Sequence, residues 1–137
     1  MIDRYTRPEM AKVWSEQNKY LAWLKVELAV SAAQASLKII PPKVWRELRG
    51  KGEALIKKGG IDPERVAFHE KTTRHDVIAF TTAVAEKIGP SARYIHFGLT
   101  SSDVIDTAMA LQIREAGMLI QKNLTELLKV LKKRAQE

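Results

Sequence analysis

Apolar residues recur at intervals of three and four along most of the chain, which is the spacing of an amphipathic α-helix. Between Tyr20 and Ser36 this pattern predicts a helix, because no glycine or proline interrupts it. Pro8 is suited to open an earlier helix, and the pair Pro41 and Pro42 is expected to end the helix from Tyr20. No segment alternates apolar and polar residues as a half-buried strand would. The pattern therefore predicts an all-α protein.

The middle of the chain continues in the same way. Apolar residues at helical spacing predict a helix over Val44–Leu55, although Gly50 and Gly52 weaken its middle. Asp62 followed by Pro63 is typical of a helix start. Residues 66–73 are ambiguous, whereas residues 76–88 predict a helix that is closed by the dipeptide Gly-Pro. A loop over residues 91–99 is expected to follow.

The last segment predicts one long helix. Thr100 to Asp103 (T-S-S-D) resembles a capping box in which Asp takes the place of Glu or Gln. Apolar residues then follow at helical spacing to the end of the chain, and Gly117 interrupts them only mildly. At about 1.5 Å per residue this helix approaches 50 Å. Because the other predicted helices are too short to cover it, part of its apolar stripe is expected to face something outside this chain.

Composition limits the classes of protein that are possible. The 137 residues are 45% hydrophobic and 28% charged and include no cysteine, which favours a soluble globular protein of a reducing, cytoplasmic compartment. No apolar run approaches the roughly 18 residues of a membrane-spanning helix, so no membrane partner is expected. The net charge of +7 raises nucleic acid as a partner. However, the basic residues are dispersed and lack interleaved aromatic residues for base stacking, so solvated helix faces are the favoured interpretation.

Three histidines are candidates for proton transfer near neutral pH. His69 has no supporting neighbours and is interpreted as structural. His75 lies in the motif Thr72–Asp76 (T-T-R-H-D), where two hydroxyls, Arg74 and an acid surround it. This cluster has two open interpretations: an anion-binding group that can place a proton, or a helix N-cap at Thr73 or Asp76 with Arg74 in solvent.

Two further clusters are suited to anions. His96 precedes Gly98, Thr100 and Ser101 at the start of the long helix, where unpaired N–H groups and the helix dipole favour negative charge. Plain capping by Thr100 is the alternative, and the two roles are compatible. Near the N-terminus, residues 4–7 (R-Y-T-R) offer two guanidinium groups that suit phosphate or carboxylate, although terminal arginines are usually only solvated. These residues alone do not name a reaction.

The motifs taken together resemble those of the adenylosuccinate lyases, within the fumarase/aspartase superfamily. The resemblance rests on three segments in matching order and spacing: Arg4–Met10 (R-Y-T-R-P-E-M), Thr73–Phe80 (T-R-H-D-V-I-A-F) and His96–Val104 (H-F-G-L-T-S-S-D-V). It covers essentially the whole chain. The first two segments point to this family, because the wider superfamily shares only an element like the third.

The resemblance implies a β-elimination without a metal or organic cofactor. Adenylosuccinate would give AMP and fumarate, and the succinylated carboxamide ribonucleotide of purine synthesis would also release fumarate. It further implies that three groups of residues line the site. Arg4 and Tyr5 would bind the nucleotide. Arg74, His75 and Asp76 would form a second binding segment, in which His75 either donates a proton or orients the substrate, and His96, Thr100 and Ser101 would line the site at the start of the long helix.

The chain departs from the family's pattern in what it lacks. A further catalytic histidine in a T-H segment and a flexible serine loop are expected beyond residue 137 in this family. The resemblance therefore implies a fragment: an N-terminal helical domain over residues 1–98 and, over residues 99–137, the start of a central helical-bundle domain. Family members form homotetramers whose sites draw on several subunits. The alternatives are a small basic module that binds nucleic acid and a helical module that only self-associates.

Overall fold

The computed structural model describes residues 2–137 and confirms the all-α fold, since this range contains helices and no β-strand. Short 3₁₀ helices occupy Asp3–Tyr5 and Pro90–Tyr94. The α-helices are α1 (Pro8–Val13), α2 (Glu16–Ser36), α3 (Pro42–Lys57), α4 (Pro63–Thr73), α5 (Asp76–Ile88) and α6 (Ser101–Arg134).

Local boundary signals predict several helix starts correctly. Asp62 caps α4, its carboxylate accepting from the N–H of Glu64 at 2.9 Å, and Pro63 is the first helical residue. The bounds of α5 agree with the predicted ones. The ambiguous stretch from residue 66 to 73 is the body of α4. Its apolar positions form only a weak stripe, so packing against α5 rather than periodicity holds this stretch in a helix.

The helix α2 ends at the predicted residue, Ser36, but the prolines do not terminate it. The helix ends at Ser36, and Lys38 takes a left-handed conformation with φ of 63°. The N–H of Ile39 then donates to the carbonyl of Gln34 at 2.9 Å, and the N–H of Lys38 donates to Ala35 at 3.0 Å. This is the hydrogen-bond pattern of a Schellman cap. Glycine usually occupies the left-handed position of this cap. Because lysine occupies it here, the sequence does not indicate that the helix is capped at this point.

Gly52 supports the packing of α3, and the helix continues through both glycines. The residue is buried against α2, and a Cβ at this position would lie 2.6 Å from Cδ1 of Leu28. Such a contact is closer than packed carbons tolerate. The glycine therefore allows α3 to approach α2 and close one side of the core.

The core surrounds α2, whose buried side chains point in most directions. Tyr20 and Trp23 of α2 meet Phe80 of α5, with ring centroids 5.8 and 5.4 Å apart. From the other side Val104 and Ala108 of α6 join the same core, and both are fully buried. Because α5 and α6 both pack on α2, this helix fixes the positions of the segments that carry the candidate site.

The two halves of α6 have different surroundings. Val104, Ala108, Gln112 and Ala116 are buried at regular helical intervals. Beyond them every residue from 120 to 137 is exposed. The exposed half includes the predicted apolar stripe, whose members are more than half exposed: Ile120, Leu124, Leu127 and Leu131. The stripe is therefore uncovered among the described residues, as its length predicts.

Candidate active site

The segment that leads into α6 is held by an unexpected partner, Glu27 of α2. One carboxylate oxygen of Glu27 accepts from the backbone N–H of His96 at 2.7 Å, and the other lies 2.7 Å from Nδ1 of the same residue. The Glu27 side chain is completely buried, whereas the imidazole is 16% exposed. His96 has a left-handed backbone with φ of 63°, which is uncommon for a residue with a side chain. Both carboxylate oxygens are thus committed to one histidine.

A second side chain of α2 holds the residue after the histidine. Nε2 of Gln34 donates to the carbonyl of Phe97 at 2.7 Å. Gln34 lies seven residues after Glu27, so the two side chains lie on one face of α2 about two turns apart. The segment from His96 to Gly98 is therefore anchored at two points along α2, and its unusual backbone conformation is determined by contacts remote in sequence.

The start of α6 forms the predicted capping box. The carboxylate of Asp103 accepts from the backbone N–H of Thr100 at 2.7 Å and from its hydroxyl at 2.9 Å. These hydrogen bonds, the one from the backbone first, lower the pKa of Asp103, and the nearby His96 contributes to the same shift. Among the described residues, the N–H groups of Ser101 and Ser102 have no acceptor. The half-buried Ser101 hydroxyl makes no hydrogen bond within this range either. In the described part of the chain, unpaired donors are thus available at the start of α6, five residues after His96.

The motif around His75 is a junction between two helices and not between a loop and a helix. Arg74 ends α4 in a left-handed conformation with φ of 50°, and its N–H donates to the carbonyl of Glu70 at 2.9 Å. His75 is extended and caps α5, with Nδ1 accepting from the N–H of Ile78 at 3.4 Å. The alternative of an N-cap at Thr73 or Asp76 is therefore wrong, because His75 is the N-cap. The sequence does not indicate this cap, because a histidine ring nitrogen seldom caps a helix.

Among the described residues, the side chains of this junction have only local partners. Nδ1 of His75 lies 3.4 Å from the Asp76 carboxylate, whose Oδ1 accepts from the N–H of Val77 at 2.7 Å. The hydroxyl of Thr73 donates to the His75 carbonyl at 3.1 Å. Both side chains of the pair are 46% exposed, and Arg74 is exposed as well. The junction thus presents a guanidinium and an imidazole to the surroundings.

The N-terminal pair lies elsewhere. The Arg4 guanidinium lies 4.7 Å from the centre of the Tyr5 ring, and that ring is 74% exposed. Arg7, three residues on, lines a surface depression together with Leu119 of α6. Leu119 follows Ser101 by 18 residues, which is about 27 Å along a helix. Within this chain the N-terminal pair is therefore remote from the start of α6.

The structure leaves the three clusters separate. Among residues 2–137, no hydrogen bond or ion pair joins the N-terminal pair, the Arg74–Asp76 junction and the His96–Ser101 segment. The same range contains no group of three or more acidic or histidine side chains placed to hold a metal ion. It also contains no helix that is both long and apolar enough to cross a membrane.

Sequence reasoning missed Glu27 and Gln34. A signal for Glu27 was present, because it is a charged residue beside Trp23, Leu24 and Leu28 on a helix whose neighbouring positions are apolar. A buried charge requires a partner. Its partner His96 follows 69 residues later, so no local pattern could identify the pair.

Comparison with known proteins places the chain among the lyases. It is 47% identical to an adenylosuccinate lyase from Synechocystis sp., 46% to one from Aquifex aeolicus and 44% to one from Streptococcus mutans. Each match spans all 137 residues but only 30% of the relative's length.

A solved structure and a family description agree with these relatives. The crystal structure of a fumarate lyase from Mesorhizobium sp. superposes with a TM-score of 0.73 over 82% of this chain and 26% of that protein, at 26% identity. A family description that reads simply "Lyase" matches residues 3–137. The chain therefore belongs to the lyase family.

Proposed function

We propose that this chain is the N-terminal part of an adenylosuccinate lyase, which cleaves adenylosuccinate to AMP and fumarate in purine nucleotide synthesis. The same site would cleave the succinylated carboxamide ribonucleotide. The observation that carries the proposal is the identity of 44–47% with adenylosuccinate lyases over the whole chain. No comparison favours the alternative of a nucleic-acid-binding module. The reaction needs an acid, a base and anion-binding groups but no cofactor.

The proposed roles follow the three clusters. Arg4 and Tyr5 would bind the nucleotide, since both side chains are exposed. Arg74, His75 and Asp76 would form a second binding segment, in which His75 donates a proton or orients the substrate.

The third cluster would bind a carboxylate or phosphate of the substrate. In support of this role, Ser101 has a hydroxyl and an N–H without partners in the described range, and His96 lies just before it. Thr100 would line the site beside them while it forms the cap.

The proposal extends to the domains of the protein and to its assembly. Residues 1–98 would form the N-terminal helical domain, and residues 99–137 would begin the central bundle. The uncovered stripe from Ile120 to Leu131 supports a homo-oligomer, for which the family resemblance suggests a tetramer with shared sites. Such sites would bring together clusters that one chain leaves separate. Sedimentation at several concentrations tests the oligomer.

We also propose a cytoplasmic location, consistent with the absence of cysteine.

A chimaera tests the activity. In it, this chain replaces the matching 137-residue segment of the Synechocystis relative, and fumarate release from adenylosuccinate is measured. We expect turnover by the chimaera and none by this chain alone, because the distal catalytic groups are then absent. A folded, assembled chimaera without turnover would contradict the proposal.

The Ser101→Ala substitution in the chimaera tests the site. Loss of one hydrogen bond to a charged group costs about 1.5–3 kcal/mol, so we expect kcat/KM to fall roughly ten- to a hundredfold. The melting temperature should change little because the capping box remains. Ser102→Ala, one position further on, serves as the matched control and should retain activity. Unchanged activity, or stability that falls together with activity, would assign Ser101 a structural role.

A further inference from the structure

The Glu27–His96 contact goes beyond what is needed to hold a loop. A neutral glutamine or a water molecule can also accept a hydrogen bond from a backbone N–H. Burial of a carboxylate costs free energy unless its charge has a hydrogen-bonded partner. Here the side chain has no exposed surface, and both oxygens contact the same residue. What a carboxylate adds over a neutral side chain is its effect on the imidazole.

We propose that Glu27 is a positioning residue that holds His96 as the tautomer with hydrogen on Nδ1 and directs Nε2 toward the substrate. An ionised carboxylate only accepts hydrogen bonds. One oxygen receives the backbone N–H, so the other requires a hydrogen on Nδ1 at 2.7 Å. The hydrogen bond at one ring nitrogen then determines the state of the other. The part of this inference that concerns substrate rests on the proposed function.

The surroundings of His96 support this orientation. Among the described residues Nε2 has no hydrogen-bond partner, and the ring retains some exposure. The hydrogen bonds from Thr100 are the main cause of the lowered pKa of Asp103, and the imidazole lies close enough to the start of α6 to add to that shift. The left-handed backbone at His96, with φ of 63°, is maintained by Glu27 at His96 itself and by Gln34 at the next residue. Two anchors from one rigid helix thus fix both the backbone and the ring.

Glu27→Gln reverses the tautomer while it preserves the shape of the contact. The amide oxygen can accept from the His96 N–H, and the amide NH₂ then faces Nδ1 and donates to it. That arrangement requires the hydrogen on Nε2. The opposite amide orientation would place two donors against each other. The variant therefore separates the electronic role of the carboxylate from the packing role of the side chain.

The first measurement uses this chain and long-range ¹H–¹⁵N correlation spectra of its histidine rings at alkaline pH, where imidazole is neutral. In the unsubstituted chain Nδ1 of His96 should be pyrrole-like and Nε2 pyridine-like, and Glu27→Gln should exchange the two. The destabilising control Leu48→Ala, at a fully buried position of α3, which makes no hydrogen bond to His96, should leave the tautomer unchanged. A hydrogen on Nε2 in the unsubstituted chain, or an unchanged tautomer in Glu27→Gln, would overturn the proposal.

The second measurement uses the active chimaera. Glu27→Gln should lower kcat/KM about ten- to a hundredfold, the range for a lost hydrogen bond to a charged group, with the melting temperature nearly unchanged. In a His96→Asn background the same substitution should have little further effect, because it acts through the imidazole. Equal effects in both backgrounds would mean that Glu27 acts independently of His96. An inactive unsubstituted chimaera would refute the lyase proposal, while the spectra would still decide whether Glu27 controls the tautomer.

Discussion

The two histidine motifs contain similar residues but are held in different ways. His75 and His96 each lie just before a helix, and each motif includes a non-glycine residue with a left-handed backbone. The partners of His75 come from its own junction, within three residues, whereas His96 is held by a buried carboxylate 69 residues away. Residue content alone therefore does not show whether a motif is rigid. The origin of its hydrogen-bond partners does.

The largest expected effect is on the His96 side. Glu27→Ala removes both acceptors and leaves the part-buried N–H of His96 unpaired beside a small cavity. We expect the free energy of unfolding to fall by about 2–4 kcal/mol, measured by urea denaturation. Glu27→Gln retains an acceptor and should lose much less. A Glu27→Ala variant as stable as the parent chain would show that the long-range anchor is dispensable.

A smaller effect is expected at the His75 junction. His75→Ala removes the cap of α5, and because the N–H to Nδ1 distance is long at 3.4 Å, the loss should be near the low end for helix caps, about 0.5–1 kcal/mol. His75→Asn supplies a better cap and should restore or exceed the original stability. If His75→Ala cost as much as Glu27→Ala, the contrast between a local and a long-range motif would be wrong.

The smallest effect concerns the α4–α5 pair that presents His75. Glu86 of α5 is paired with Arg65 of α4 and lies 3.0 Å from Nε2 of His69. The hydrogen bond from Arg65, more than the charge of His69, lowers the pKa of Glu86 from 4.5 to about 2. Since the folded pKa is depressed, the stabilisation is complete above about pH 4.5 and disappears as the pH falls through about 2.

Glu86→Gln tests this dependence. The variant should flatten the curve of stability against pH in the acid range, and Arg65→Met should flatten it in the same way. The change is small because the pair is exposed and screened by solvent. If the curve of stability against pH kept its slope in both variants, this ion pair would not stabilise the packing of α4 against α5.

Helix starts could be predicted because their signals are local. Asp62 and the Thr100–Asp103 box satisfy N–H groups no further away than the next turn, and Pro63 lacks an N–H that would need a partner. The cap at the end of α2 could not be predicted, because Lys38 occupies a position where glycine is the usual signal. The helix starts are thus visible in a few adjacent residues of the sequence, whereas the cap at the end of α2 is not.

The candidate site was only partly predictable for the same reason. The sequence indicated His75, His96 and Ser101, since their neighbours suit anions. It did not indicate that His96 depends on Glu27, because that contact exists only once α2 packs beside the segment before α6. The separation of the N-terminal pair from Ser101 is likewise a property of packing, set by the place where Arg7 meets α6.

The uncovered half of α6 makes the stability of that half depend on the concentration of any molecule that covers its apolar stripe. Residues 120–134 are helical but exposed throughout the described structure, and an isolated helix of that length is only marginally stable in water. Any molecule that covers the stripe binds the helical form and not the frayed one. By mass action, the free energy by which this molecule stabilises residues 120–134 rises with the logarithm of the molecule's concentration. The melting of this segment is therefore set by the solution around the chain, while that of the core around α2 is set by the chain itself.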